Sequence, residues 1–196
     1  MANKKITQLT ASSVNLAAID LVEGSINNGA GVYTSKKLTG QQVFDGTIVS
    51  TPYISAYSTT NQTFGAGTPQ EIIFDGTGFS NFINMPTTYE LRTAQAGFYQ
   101  LDFTATILNN GGNPNYNIGF YLTINGTDVS DSSRFMNAPT SNHHISFQTS
   151  WLVEMGVLDV VTIVCVMEKT NFELITESAL TGVLTPSVQV IMKRIG

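Results

Sequence analysis

The chain has 196 residues, 42% of them hydrophobic and only 12% charged, so its polarity rests on Thr, Asn, Ser and Gln, and its length suits one compact domain with a short extension, or a single large β domain, better than two enzymatic domains. Nine basic residues against 14 acidic ones, a net charge of -5, leave no broad cationic face for phosphates, which disfavours nucleic acid as a partner. Cys165 is the single cysteine, so no intrachain disulfide framework can form. The polar run after Lys4 and Lys5 does not read as a secretory signal, and no apolar stretch reaches the roughly 18 residues that membrane insertion by a helix requires.

The first 50 residues differ in composition from the rest. They carry four lysines against three acids, whereas residues 51–196 carry five basic groups against eleven acidic ones. Their apolar positions, among them Ile6, Leu9, Leu21 and Val22, are too scattered to build a core. The turn-rich stretch Asn27-Asn28-Gly29-Ala30-Gly31 predicts a hairpin with arms over 20–25 and 32–38. Composition alone leaves a partly disordered tail as the other reading.

From about Thr51 short strands alternate with turn residues, which predicts an all-β sandwich or barrel. Strands are expected over 53–57, 71–74 and 89–92, with a loop from 59 to 69 and a turn at Asp75-Gly76. The clearest strand is 98–108, where Tyr99, Leu101, Phe103, Ala105 and Ile107 alternate with polar residues. The next has Ile118, Phe120, Leu122 and Ile124 on one face and ends at Asn125-Gly126, a pair suited to a tight hairpin turn. Strands over 145–153, 172–176 and 187–195 complete the set, the first with Phe147 and Trp151 on the Ile145 face.

The segment 158–167 is apolar on both faces. Leu158, Val160, Val164 and Val166 are expected to face the core, leaving Val161, Ile163, Cys165 and Met167 on the other side. That second face calls for a cover, either an identical subunit or, if the strand is central and wholly buried, the rest of the same chain.

Ala96-Gly97-Phe98-Tyr99-Gln100-Leu101-Asp102-Phe103 resembles the Gly-x-Tyr strand of tumour necrosis factor-like and complement-type globular head domains. Leu122-Thr123-Ile124-Asn125-Gly126-Thr127 and the segment 188–195 are similar to two further strands of that family. The resemblance covers roughly residues 52–196. It implies an antiparallel jelly-roll sandwich that forms a homotrimer, with Phe98, Tyr121, Val161, Ile163, Cys165 and Met167 as expected interface residues. The family's Gly-Asp-x-Val is matched only in part, by Leu158-Asp159-Val160-Val161.

The leader resembles the amino-terminal segment of tailed-phage fibre and virion-attachment proteins, on Lys5-Ile6-Thr7-Gln8-Leu9, Asp20-Leu21-Val22-Glu23 and the segment from Tyr33 to Val43. The resemblance implies anchoring on capsid or other virion proteins, with Ile6, Leu9, Leu21, Val22, Tyr33, Lys36, Lys37 and Leu38 as the expected anchoring residues. The joint reading is a trimeric head or tail fibre, located in the virion and assembled in the host cytoplasm. The alternative is an adhesin domain that binds a receptor or a host surface glycan. Domain limits follow as 1–50 for the anchor and 51–196 for the jelly roll.

Catalytic chemistry is thin. His143 and His144 are adjacent and point to opposite faces of a strand, so one chain cannot close both on one metal. Cys165 lies in an apolar strand without a neighbouring base, and Asp128, Asp131, Glu154 and Asp159 match no calcium loop. Gly65-Ala66-Gly67 lacks the lysine of a phosphate loop. No enzyme activity, cofactor or metal is expected. Phe64, Phe79, Phe82 and Tyr116, in expected loops, are candidates either for a sugar or protein contact surface or for packing beneath the loops.

Overall fold

The structure, a computed structural model, describes residues 22–27, 33–38, 51–111, 116–137, 140–178 and 184–196. The chain divides into two units, Met1–Ser50 and Thr51–Gly196. The first contains a hairpin of β1 (Val22–Asn27) and β2 (Tyr33–Leu38), with Val22 opposite Leu38 and Glu23 opposite Lys37. Of the expected first arm, residues 20 and 21 lie outside the described residues. Of the expected anchoring residues, Val22, Tyr33, Lys36, Lys37 and Leu38 occupy paired backbone positions in this hairpin, while Ile6, Leu9 and Leu21 lie outside the described residues.

The second unit opens with β3 (Tyr53–Ser58), β4 (Gln62–Thr63), β5 (Gln70–Glu71), β6 (Gly76–Asn81), β7 (Ile83–Asn84) and β8 (Leu91–Thr93). The longer strands follow: β9 (Gly97–Asn109), β10 (Asn117–Ile124), β11 (Thr127–Asp128), β12 (Arg134–Asn137), β13 (His144–Met155) and β14 (Val160–Met167). The unit ends with β15 (Phe172–Leu174), β16 (Glu177–Ser178), β17 (Leu184–Thr185) and β18 (Val188–Arg194). All named pairings are antiparallel, and the described residues contain no helix. One sheet runs β13-β9-β18-β3-β6, with β15 and β4 continuing beside the far end of β9. The other runs β7-β8-β14-β10, with β11 and β12 on the outer edge of β10 and β5 beside β14. This is the jelly-roll sandwich expected from the sequence.

The two sheets close on one core. Alternate residues of β9, Tyr99, Leu101, Phe103, Ala105 and Ile107, are buried, and Ile118, Phe120 and Leu122 of β10 meet them from the other sheet. Phe103 lies 5.3 Å from Phe120 and 5.8 Å from Trp151, and Phe120 stacks on Phe147 at 4.7 Å. This aromatic cluster joins the layers, and each such pair adds about 0.5–1.5 kcal/mol beyond its buried area. Trp151 Nε1 donates to the Ser132 carbonyl at 2.5 Å, and the Ser132 hydroxyl accepts from Leu122 N and donates to the Val129 carbonyl, so the polar atoms inside this corner are satisfied.

Gly97 begins β9 at φ 152°, where a Cβ would stand 2.4 Å from Arg194 Nε and from the Gly196 carbonyl oxygen. Only glycine fits between the start of β9 and the chain terminus. Tyr99, two residues on, is buried and donates its hydroxyl to the Gln95 carbonyl at 2.6 Å. At Gly76 a Cβ would meet the Tyr57 ring at 2.5 Å, so that ring lies directly on the backbone of β6.

The orientation of β14 corrects the sequence reading. Val161, Ile163, Cys165 and Met167, expected to meet a partner subunit, are buried in the core of the single chain. The cause is register: Leu122 lies opposite Ile163, Phe120 opposite Cys165 and Ile118 opposite Met167, and directly opposed residues share a face. On the opposite face Val164 is covered from within, while Val160 and Val166 are half-buried. Val164 is buried between Tyr121 of β10 and Glu71 of β5 in one cross-strand row. Leu158, read as a core residue of this strand, is instead an exposed turn residue at φ 67°. It sits at the glycine position of the partial Gly-Asp-x-Val match and takes the left-handed conformation that glycine would take there.

Two strands of more than two residues fall outside those expected: β6, along the edge of β3, and β12, along the edge of β10.

Candidate assembly face

On the β9 sheet the outward side chains alternate with the core set. They fall into cross-strand rows fixed by pairing. Glu154 and Phe98 stand opposite each other, with Ile195 next along because its N–H donates to the Phe98 carbonyl at 2.8 Å. The next row runs Leu152, Gln100, Lys193, Tyr53, and the one after it Ser150, Asp102, Ile191, Ser55. Gln148, Thr104, Gln189 and Tyr57 follow.

The first three rows expose an unusual amount of carbon. Leu152 is 69% exposed, Phe98 53%, Ile195 52%, Ile191 43% and Tyr53 40%. Residues diagonal on one sheet face stand about 7–8 Å apart, so Leu152 and Phe98 lie within side-chain reach of each other. Their charges are few, Glu154, Asp102 and Lys193, and the last two are engaged with each other. Asp102 accepts from Ser150 Oγ at 2.5 Å and Gln100 Nε2 at 2.7 Å, and Lys193 Nζ stands 3.6 Å away. The Ser150 bond, with help from Gln100 and Lys193, outweighs partial burial and holds the Asp102 carboxyl below its ordinary range. An exposed apolar patch with few charges and rimmed by polar groups has the chemistry of a protein contact.

Of the residues expected at an interface, Phe98 lies on this face. Tyr121 lies on the outward face of the other sheet, half-buried, its hydroxyl pushed up by burial and by the carboxylates of Asp128 and Glu71. The other four are core, so the fold does not gather the expected set on one surface. Leu152, Ile191, Ile195 and Tyr53 were missed, although the signal was present: Leu152 and Ile191 occupy strand positions of the parity otherwise filled by Ser146, Gln148, Ser150, Gln189 and Lys193.

The remaining candidates separate likewise. Cys165 is buried and its thiol is pushed far up by desolvation, which makes it unreactive. His143 Nδ1 lies 2.7 Å from Thr140 Oγ1, and His144 pairs with Glu177. Asp159 accepts from Gly156 N at 2.6 Å and Asn125 Nδ2 at 2.8 Å, locking two turns together. Among the described residues no three His, Cys, Asp or Glu side chains gather as metal ligands. Phe64 is buried, Phe79 and Phe82 are exposed along the β6 edge, and Tyr116 packs against the core with Lys169 Nζ 4.9 Å from its ring.

No family model matches this sequence, and no curated protein matches it. Among solved structures it is similar to murine APRIL, a tumour necrosis factor-family protein, in three crystal structures. At pH 8.0 the TM-score is 0.52 with 9% identity, at pH 5.0 it is 0.50 with 7%, and at pH 8.5 it is 0.50 with 9%. Each covers 74% of this chain and 100% of that one. At such identity the likeness is one of fold: this chain contains a tumour necrosis factor-like jelly roll.

Proposed function

We propose that the protein is a phage virion structural protein, a homotrimeric head or tail fibre whose amino-terminal segment docks on capsid or other virion proteins while the jelly roll assembles and projects. The observation that carries the assembly is the exposed row of Phe98, Leu152, Ile195, Ile191 and Tyr53 on the β9 sheet, which takes over the contact role first expected of β14. The residues that carry the virion reading are the leader segments around Lys5 to Leu9, Asp20 to Glu23 and Tyr33 to Val43. The role is structural and attachment-related rather than catalytic, with the virion as its location. Mass spectrometry of purified particles tests it. The chain should be present in virions, and loss of residues 1–50 should abolish its incorporation; absence from particles would overturn the reading.

A further inference from the structure

One end of the outward β9 face is walled. Thr106 of β9 donates its N–H to the Ser187 carbonyl and accepts from Ile175 N, both at 2.9 Å, so the chain leaves and rejoins the sheet at one point. Between these positions it forms the β16/β17 hairpin and reaches β13, where Glu177 pairs with His144 and where Thr185 and Pro186 stand beside Ser146 and Gln148. A furrow results. One lobe, of about 260 Å³, lies among Thr104, Thr106, Ser146, Gln148, Gln189 and Thr185. It continues past Thr104 and Gln148 into an open lobe of about 410 Å³ that ends at Asp102 and Ser150.

The six polar side chains of the first lobe form no hydrogen bond to any described residue. Each can both donate and accept, and none is charged. An apolar ligand would strand these groups. An anion would meet no cation in the first lobe and would face the Asp102 carboxylate at the far end, while a cation would find that carboxylate already held by Ser150, Gln100 and Lys193. The complement is a neutral molecule dense in hydroxyl groups, with a C–H face to set against the Pro186 ring.

We infer that this furrow is a binding site for neutral saccharide chains. It goes beyond the assembly reading: the walled lobe begins one row past the apolar rows, and only the far end of the open lobe, at Asp102 and Ser150, reaches the last of them.

The test uses the full chain with maltohexaose, laminarihexaose and a hexamer of N-acetylglucosamine, and with a hyaluronan hexasaccharide as anionic control. Binding is read by calorimetry and saturation-transfer NMR, and oligomer mass by light scattering on the same samples. At least one neutral probe should bind at roughly millimolar Kd or tighter. Gln148→Ala with Gln189→Ala should weaken it about tenfold or more, Thr127→Ala on the other sheet should leave it unchanged, and hyaluronan should bind at least about tenfold more weakly. The inference is overturned if no neutral probe binds below ~10 mM. It is equally overturned if binding ignores the double substitution, or if that substitution lowers the oligomer mass, because the furrow then belongs to the subunit contact. Saccharide binding by a monomer would support the furrow and refute the assembly reading.

Discussion

Leu152→Asp and Ile163→Asp distinguish an assembly residue from a core residue. Leu152 is 69% exposed in the single chain, so the substitution should change subunit folding by no more than about 0.5 kcal/mol. Covering a fully exposed leucine is worth about 1.5–3 kcal/mol, and some two thirds of that remains to be gained on association, which is about 1–2 kcal/mol per copy and about 3–6 kcal/mol per trimer. At about 1.4 kcal/mol per factor of ten, the apolar loss alone shifts the assembly constant by roughly two to four orders of magnitude, and bringing three carboxylates into the contact adds a desolvation cost. Ile163, 1% exposed, behaves differently. Its replacement removes about 1.5–3 kcal/mol of burial and leaves an unpaired charge in the core, which together approach the whole stability of a domain. Light scattering should therefore show a folded monomer for Leu152→Asp, with thermal melting near that of the wild-type subunit, and melting should show an unfolded or aggregated Ile163→Asp. A wild type that is monomeric at micromolar concentration, or a Leu152→Asp that remains trimeric, would refute the assembly face; an Ile163→Asp that melts like wild type would refute the orientation of β14.

Further outcomes follow from local geometry. Leu158→Gly should raise stability by about 0.5–1 kcal/mol in denaturant titration, because it relieves a left-handed leucine that is 66% exposed and contributes little burial. Trp151→Phe should cost about 1–3 kcal/mol by leaving the buried Ser132 carbonyl without its donor. Asp102 is held low by Ser150, and Asp159 by Asn125 and Gly156, so each adds stability that is present above the ordinary aspartate range near ~4 and lost as pH falls through the depressed folded value. The melting temperature should fall below about pH 4, and less steeply in Asp159→Asn. The fragment 51–196 should fold alone and fail to decorate particles.

The strands with strict alternation were legible. The 13 residues of β9 put every second side chain inside, and Asn125 and Gly126 adopt φ 51° and 77°, the positive pair the tight turn demands. β14 was legible as a strand and misread in orientation because both parities are apolar; only its register with Ile118, Phe120 and Leu122 decides which set turns inward, and register between distant strands is not written in either strand alone. β6 and β12 escaped for a different reason. Gly-Thr-Gly-Phe-Ser-Asn and Arg-Phe-Met-Asn bury little and need no alternation, so they exist as strands through pairing with β3 and β10 rather than through their own pattern.

The edge of the β9 sheet gives a second physical reason for the same partner. β13 runs for 12 residues, and β9 is its single pairing partner among the described strands. Exposed edges of that length are normally blunted by lysine, proline or a bulge, because their free N–H and C=O groups accept any further strand. His144–Met155 contains no Lys, Arg or Pro and pairs with β9 without a break in register. At one point the Trp151–Ser132 bond ties it to the loop before β12. The His144–Glu177 pair ties its start to β16, and the rest of the edge is open in the single chain, with Leu152 and Glu154 beside Phe98 and Ile195, whose carbon is also exposed. A copy of the chain seated there would shield edge and apolar rows in one contact and leave the walled lobe of the furrow, which begins in the row beyond them, open to solvent.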